Sequence, residues 1–381
     1  MQYDSIASAP GKILWLGGYS VLERPNIGLV TTVDAHVATS IRLRKDASVS
    51  FHAPQLNAYA EGRMERDGII RATVDSKLGL LKIAAEVTAR YAAVLGIKPM
   101  GMDVYTHNDP QFSYEYSGGR IAKSGLGSSA AVTVATIYSI MNAYGLDPYE
   151  HDSLHKLAHI AHSIATGKVG SGFDIAAAVY GSIIYTRYSP KILDAISSGY
   201  ENGDLQGIIK KKWDYRIEKF VLPALFKMLF ANFVGTGMVT TRAIGGVSKF
   251  KEENPLEYKK LVRMMNDENI KAVNELRSIN NGNDEERDLE GLRLAFDRGR
   301  ELAKELGVLS GIGIEDDDLS DLIKESEDRG ALVAKLPGAG GRDAIAALAT
   351  GNAELRKLRK FWSAKKTMHI LNVKISNKGV L

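Results

Sequence analysis

The stretch Ala122-Lys-Ser-Gly-Leu-Gly-Ser-Ser-Ala-Ala-Val132 constrains this chain most, because two glycines one residue apart run straight into a long apolar segment. Gly125 and Gly127 permit positive φ and a close backbone approach. Ser128 and Ser129 stand where a helix would begin with unpaired N–H groups. Such a turn suits an anion, since the free amides and the helix dipole both favour negative charge. Lys123 adds a cation at the mouth, and the two hydroxyls can bond phosphate or a phosphate-bound metal ion. A serine-capped turn would explain the same residues, and the Gly-Lys-Ser/Thr ending of a Walker loop is missing. The rest of the chain decides between the two.

With 381 residues, 45% of them hydrophobic, the chain can bury a large core, and its length suits about two domains. Its 49 basic and 45 acidic side chains nearly balance, so no sequence-wide nucleic-acid signature is present. The absence of cysteine excludes disulfides, thiolate metal sites and a cysteine nucleophile, and fits a cytoplasmic protein. Residues 1–10 lack a basic segment followed by an apolar core, so no secretory signal is expected. Phe220 to Val239 is apolar and about long enough to span a bilayer, but Pro223, Lys227 and Asn232 interrupt it. Buried strands and a turn are expected there instead, and no membrane association.

Strands are predicted at Ser5–Ala9 and Ile27–Val33, followed by an alternating run through Val37, Thr39, Ile41 and Leu43. Between the first two, Pro10-Gly11 reads as a turn and Gly17-Gly18 as a second place of close backbone approach. Lys12 lies in an otherwise apolar stretch, where its ammonium calls for an anionic partner. An amphipathic helix is predicted over Leu78–Leu95, stopped by Gly96, and a strand over Gly101–Thr106. His107 to Arg120 reads as a loop leading into the phosphate turn, a plain surface loop by default and a lid as the alternative. Ser129–Tyr144 reads as a helix buried on most sides, and Asp147-Pro148 as the start of another running to His162. His155, His159 and His162 share one helical face without a carboxylate, so a metal site is not expected.

Thr166 to Ser182 packs three glycines, Lys168 and Asp174 ahead of an alanine-rich turn and a strand, Ser182–Tyr188. Asp174 stands where an N-cap would. Further on, a strand pair is predicted near Tyr215–Val234, then helices at about 254–279, 286–306 and 318–329. The run Glu315–Asp318 reads as an acidic helix N-terminus. A strand at Ala331–Lys335 leads to a second glycine-rich turn, Leu336–Ile345, expected to precede a helix. The basic segment from Arg356 to Lys366 reads as a solvated helix face with Phe361 and Trp362 buried, ahead of a last strand at His369–Ile375.

Three segments in this order, Ala9-Pro-Gly-Lys-Ile-Leu-Trp-Leu-Gly-Gly-Tyr19, Gly125-Leu-Gly-Ser-Ser-Ala-Ala131 and Pro337-Gly-Ala-Gly-Gly341, resemble the motifs of the GHMP kinase superfamily. The resemblance implies a two-domain α+β fold. Residues 1–190 would form an ATP-binding domain with a left-handed βαβ unit, and residues 191–381 a ferredoxin-like domain. It also implies ATP and Mg²⁺, with Lys123, Gly125, Leu126, Gly127, Ser128, Ser129 and Ala130 holding the nucleotide and Ser129 the metal. Lys12 and Asp174 would flank the acceptor oxygen. In detail the chain is most similar to the phosphomevalonate kinase subfamily of eukaryotic type, through Gly18-Tyr19, Gly167 to Asp174 and Gly340 to Ala344. That likeness implies 5-phosphomevalonate as the acceptor, contacted by Tyr19, Ser20, Lys168, Ser171, Gly172, Arg342 and Asp343, with Thr236 to Arg242 as further candidates.

Two positions depart from the pattern. Ser163 stands where mevalonate kinases carry a second metal-binding carboxylate, and Thr166 where glutamine is expected. A phosphate acceptor is already largely dianionic at neutral pH, so its difficulty is the approach of one anion to another. Charge neutralisation by Lys12, Lys168, Lys123 and Mg²⁺ should then outweigh proton removal by Asp174. Another small-alcohol kinase of the same superfamily, such as one acting on mevalonate, is the near alternative; a non-catalytic nucleic-acid binder is the remote one. A monomer and a homodimer fit the sequence equally.

Overall fold

The computed structural model describes residues 2–116, 119–167, 170–192, 200, 203–234 and 240–381. The long apolar and alternating runs at the N-terminus form two strands, β1 (Ser5–Leu16) and β2 (Gly28–Leu43), paired antiparallel from Ser5 opposite Ile41 to Leu16 opposite Leu29. From Asp34 onward β2 alternates exposed or half-buried residues with buried ones, as a strand with one covered face should. Its other edge carries the rest of the sheet: β3 (Ser48–Ala53), β4 (Ala58–Met64), β5 (Ile70–Arg71), β6 (Met102–Asn108), β9 (Ile183–Thr186) and β10 (Arg216–Lys219) in the order β10-β9-β2-β6-β3-β4-β5. β3 and β6 run parallel, joined by a crossover through helix α1 (Gly79–Val94).

Helix α2 (Ser128–Ala143) lies across β1 and β2, with α1 and α3 (His151–Thr166) beside it. Its buried residues run unbroken from Thr133 to Met141, so every face meets protein. Asp147 does not start α3; its carboxylate accepts from Tyr149 N–H in a turn, and the helix begins at His151. The expected loop at 107–120 is instead a hairpin, β7 (Ser113–Tyr116) with β8 (Arg120–Lys123), rooted by buried Phe112 and Tyr114. No lid role follows from that. The alanine-rich stretch after Asp174 is a helix, α4 (Phe173–Tyr180), not a turn.

A second sheet has the order β12-β13-β11-β14, all antiparallel, from β11 (Lys227–Phe233), β12 (Val333–Lys335), β13 (Ala344–Ala349) and β14 (Met368–Leu371). This is the ferredoxin-like order, with long helices between β11 and β12 and one helix between β13 and β14. The expected strand pair near 215–234 does not form, since β10 and β11 belong to different sheets. The apolar run at 220–239 owes its hydrophobicity to β11, a central strand. Among the described residues no helix is long and apolar enough to cross a membrane. Helices Pro255–Asn280, Glu285–Leu309 and Asp317–Asp328 stand close to expectation, and helix Thr240–Glu253 is additional. In helix Asn352–Ser363, Trp362 is fully buried and donates to Ser326 Oγ at 2.9 Å. Phe361, expected to be buried as well, is only half-buried, with Arg329 and Lys365 over its ring.

Segments beyond the expected division at residues 190 and 191 pair with the first sheet. β10 completes the first sheet, and the C-terminal tail returns to it through Ile375 opposite Val33 and paired bonds between Leu381 and Ser8. Backbone donors on the sheet edges need partners, and these segments supply them.

Candidate active site

Pro10-Gly11 is not a turn. It continues β1 opposite an irregularity of β2, where the register slips between Pro10 and Lys12 and Gly11 alone faces residues 33–35. Lys12 N–H bonds Leu126 O at 2.8 Å, which seats the strand against the glycine turn. The Lys12 side chain then runs along that turn: a Cβ on Gly127 would meet Lys12 Cε at 2.9 Å, and Lys12 Nζ donates to Gly125 O at 3.1 Å. Enclosure in the cleft lowers the Lys12 pKa, while Asp174 and Asp343 oppose that shift.

Gly125 and Gly127 take φ of +72° and +84°, and Gly127 is the N-cap of α2. Glycine has no capping side chain, and Ala131 N–H bonding Gly127 O is the first bond of the helix. The amides of Ser128, Ser129 and Ala130 precede it and remain available to an anion. Leu126 and Ala130 are buried in the core and contribute through the backbone alone.

Asp174 lies in the first turn of α4, whose N-cap is Gly172 at φ +82°. The reason Asp174 does not cap is that Gly172 takes the left-handed conformation that opens the helix. Asp174 Oδ1 accepts from Ile175 N–H at 3.0 Å. Gly172 presses on α3, where an added Cβ would lie 2.0 Å from His159 Cε1. Beneath the turn, Tyr185 Oη donates to Ser171 O at 3.0 Å, and His159 Nε2 lies 3.0 Å from His155 Nε2. Burial lowers the His155 pKa to about 3 and that of His159 well below the ordinary range, so both rings stay neutral. Arg187 bonds Leu22 O and Gly170 O, tying this segment to the first glycine-rich stretch.

The third glycine-rich stretch leads into β13, a strand and not a helix. Tyr19 Oη donates to Ala339 O at 2.9 Å and so joins the first stretch to the third; burial raises its pKa to about 12. Asn232 is fully buried and its amide donates to both Ser124 O and Asp343 O, each at 3.1 Å. Asp343 Oδ2 would lie 3.2 Å from a Cβ on Gly125. Burial raises the Asp343 pKa, and Lys12 opposes the rise.

Together these stretches line one cleft of about 540 Å³, whose walls include Lys12, Tyr19, Gly125, Ser171, Gly172, Asp174 and Asp343. Other candidates lie elsewhere. Arg342 turns away to Asp316 and Asp318, the acidic start of helix Asp317–Asp328, because those carboxylates offer it three bonds of 2.9 to 3.1 Å. Ser20 is buried with its hydroxyl fully used, donating to Gly17 O and accepting from Asn269. Lys123 is exposed on β8, outside the cleft lining. Lys168 and residues 236–239 lie outside the described residues, and Thr240 to Arg242 have only their helical backbone described.

Sequence reading missed the part played by Asn232, His159 and Arg187. Asn232 carried a signal, as a lone amide in an apolar strand that needs a partner. Arg187 carried none, since its partners Leu22 and Gly170 are distant in the chain, and the shared helical face of His155 and His159 gave no sign of the contact between His159 and Gly172. Among the described residues no three His, Asp or Glu side chains converge on a metal position. Ser129, Asp174 and Asp343 are oxygen donors near the phosphate turn, which fits a small hard cation held mainly by phosphate and water. The arrangement can bind a polyphosphate on backbone amides and place an ammonium beside its outer end.

The family model for the GHMP kinase N-terminal domain matches residues 80–182, and that for the GHMP kinase C-terminal domain matches residues 289–366. A phosphomevalonate kinase of Saccharolobus solfataricus is 32% identical, over 96% of this chain and 96% of its own length. A peroxisomal phosphomevalonate kinase of Arabidopsis thaliana is 25% identical, over 96% of this chain and 94% of its own. In fold, a Streptococcus pneumoniae phosphomevalonate kinase solved with phosphomevalonate and AMPPNP superposes with a TM-score of 0.74 at 19% identity, covering 97% of this chain and 99% of that one. The cleft, the order of its three glycine-rich walls and these matches agree: the chain belongs to the GHMP kinase family.

Proposed function

We propose that this protein is a phosphomevalonate kinase, transferring the γ-phosphoryl group of ATP to the phosphate of 5-phosphomevalonate to give 5-diphosphomevalonate and ADP. The observation that carries the kinase reading is Lys12 lying along the Gly125–Gly127 turn, with Asp174 on the facing wall. The acceptor follows from the relatives, which are phosphomevalonate kinases over nearly the whole chain.

The phosphate acceptor arrives as an anion, so the chain's task is to neutralise charge and hold two anions in line. The amides of Ser128, Ser129 and Ala130 receive nucleotide phosphate, and Lys12 spans the gap to the acceptor. Mg²⁺, when bound with ATP, supplies further neutralisation of the phosphate oxygens, and Ser129 is the side chain that would hold it. Asp174, fixed in the first turn of α4, orients Lys12 and the acceptor more than it removes a proton.

A coupled assay of ADP release with 5-phosphomevalonate, mevalonate and homoserine tests the acceptor. Turnover with 5-phosphomevalonate should exceed the others by orders of magnitude; preference for mevalonate would overturn the reading. Within the reaction, Lys12→Met should lower kcat by about a thousandfold or more and Asp174→Asn by much less. The reverse ranking would make Asp174 a general base.

A further inference from the structure

We infer that Arg187 is a positioning residue for the acceptor: it fixes two walls of the cleft through their carbonyls and leaves its positive charge to the incoming anion. This rests on the kinase reading above and adds a residue that the sequence did not single out. Arg187 follows β9, two residues beyond Tyr185, so the two side chains leave the same face of the strand. Both reach the loop ahead of Asp174. Tyr185 Oη donates to Ser171 O at 3.0 Å and Arg187 Nη2 to Gly170 O at 3.0 Å, which holds consecutive carbonyls. Arg187 Nη1 spans to the first glycine-rich stretch and donates to Leu22 O at 2.9 Å. Leu22, Gly170 and Ser171 all line the cleft, so one planar fork sets the spacing of two of its segments.

The charge makes this fork more than a brace. Carbonyls accept hydrogen bonds without neutralising a guanidinium, and among the described residues no carboxylate forms an ion pair with Arg187. Its Nε is buried with no hydrogen-bond partner, so the side chain is not placed for its own best satisfaction. Arg342, which the resemblance assigns to the acceptor, is by contrast held by Asp316 and Asp318. Among the described residues lining the cleft, the formally charged ones are Lys12, Asp174 and Asp343, one positive against two negative. 5-Phosphomevalonate brings a carboxylate and a phosphate into that lining. An uncompensated cation one carbonyl behind the wall offsets the repulsion, at a range shorter than the screening length of the solvent.

Steady-state kinetics of the full chain test this, with ATP and whichever of 5-phosphomevalonate, mevalonate and homoserine the parent turns over. Arg187→Met should raise the acceptor KM about tenfold or more and leave the KM for ATP within about threefold. The rise of acceptor KM with added salt should flatten in the same variant, because the attracting charge has gone. Arg187→Lys keeps the charge and cannot span both carbonyls, so it should keep the salt dependence of the parent. Hydrogen exchange in the ligand-free protein reads the brace without any acceptor. Segments 19–23 and 170–174 should lose protection in both variants, while 125–132 stays as in the parent. A parent-like acceptor KM in Arg187→Met overturns the proposal, as does an equal rise in the KM for ATP, a salt dependence that does not flatten, or unchanged exchange. If mevalonate or homoserine is the acceptor used, the phosphomevalonate assignment falls while the kinetic split and the exchange still decide the role of Arg187.

Discussion

Gly172 shows how much of the site hangs on single residues. Its φ of +82°, and the 2.0 Å that would separate a Cβ at this position from His159 Cε1, leave no space for a side chain. Gly172→Ala should therefore cost about 2 kcal/mol or more, by backbone strain and overlap, and displace Asp174. Gly170→Ala is the matched control, since nothing lies within 4 Å of its Cβ position. Denaturant midpoints and kcat of the two variants decide it; equal behaviour would mean that the turn relaxes freely. Arg342 teaches the converse. Its type suited a phosphate acceptor, yet two carboxylates at a helix start engage it first.

At the scale of elements, the site is made by places where regular structure is interrupted. The register between β1 and β2 slips beside Lys12, whose N–H bonds the phosphate turn, and glycine N-caps open α2 and α4 without a side chain in the way. Tyr19 joins the first glycine-rich stretch to the third through Ala339 O, and with its pKa raised to about 12 it remains a donor through neutral and mildly alkaline pH. Tyr19→Phe should lower stability by about 1 kcal/mol and raise substrate KM several-fold while leaving secondary structure unchanged. Thermal unfolding and steady-state kinetics check this. Parent-like values in both would remove the hydroxyl from any clasping role.

The whole molecule is held across its two sheets by buried polar contacts as well as apolar ones. Lys335 of β12 reaches Trp15 O of β1, and burial lowers its pKa to about 8 while Glu315 opposes the shift. The folded-state value lies below the unfolded one, so the unfolded chain binds more protons between about pH 8 and 10.5. The contribution of Lys335 to stability should rise over that window, by about 2 kcal/mol. Lys335→Met removes the titration, so the unfolding free energy of the parent minus that of the variant should increase as pH rises from 8 to 10. A constant or falling difference would contradict the burial of its charge.

Local chemistry in the sequence determined the elements whose signals are short-range: the glycine start of α2, the stop of α1 at Gly96, and the helix that opens on Pro255. Motif resemblance further supplied the two-domain plan and the expectation that Lys12 and Asp174 share one cleft, which both line; spacing could not. Tertiary structure alone decided the rest. Pro10-Gly11 stays within a strand because β2 continues to pair on both sides of it, and the alanines after Asp174 coil because α2, α3 and β1 bury them. Arg342 leaves the cleft, and buried Asn232 fastens the backbone of Asp343 beside it, through partners as many as 111 residues apart. A preference carried by neighbours along the chain can be read from their order. A contact between two sheets depends on which polar groups burial brings within reach of one another, and only the folded chain settles that.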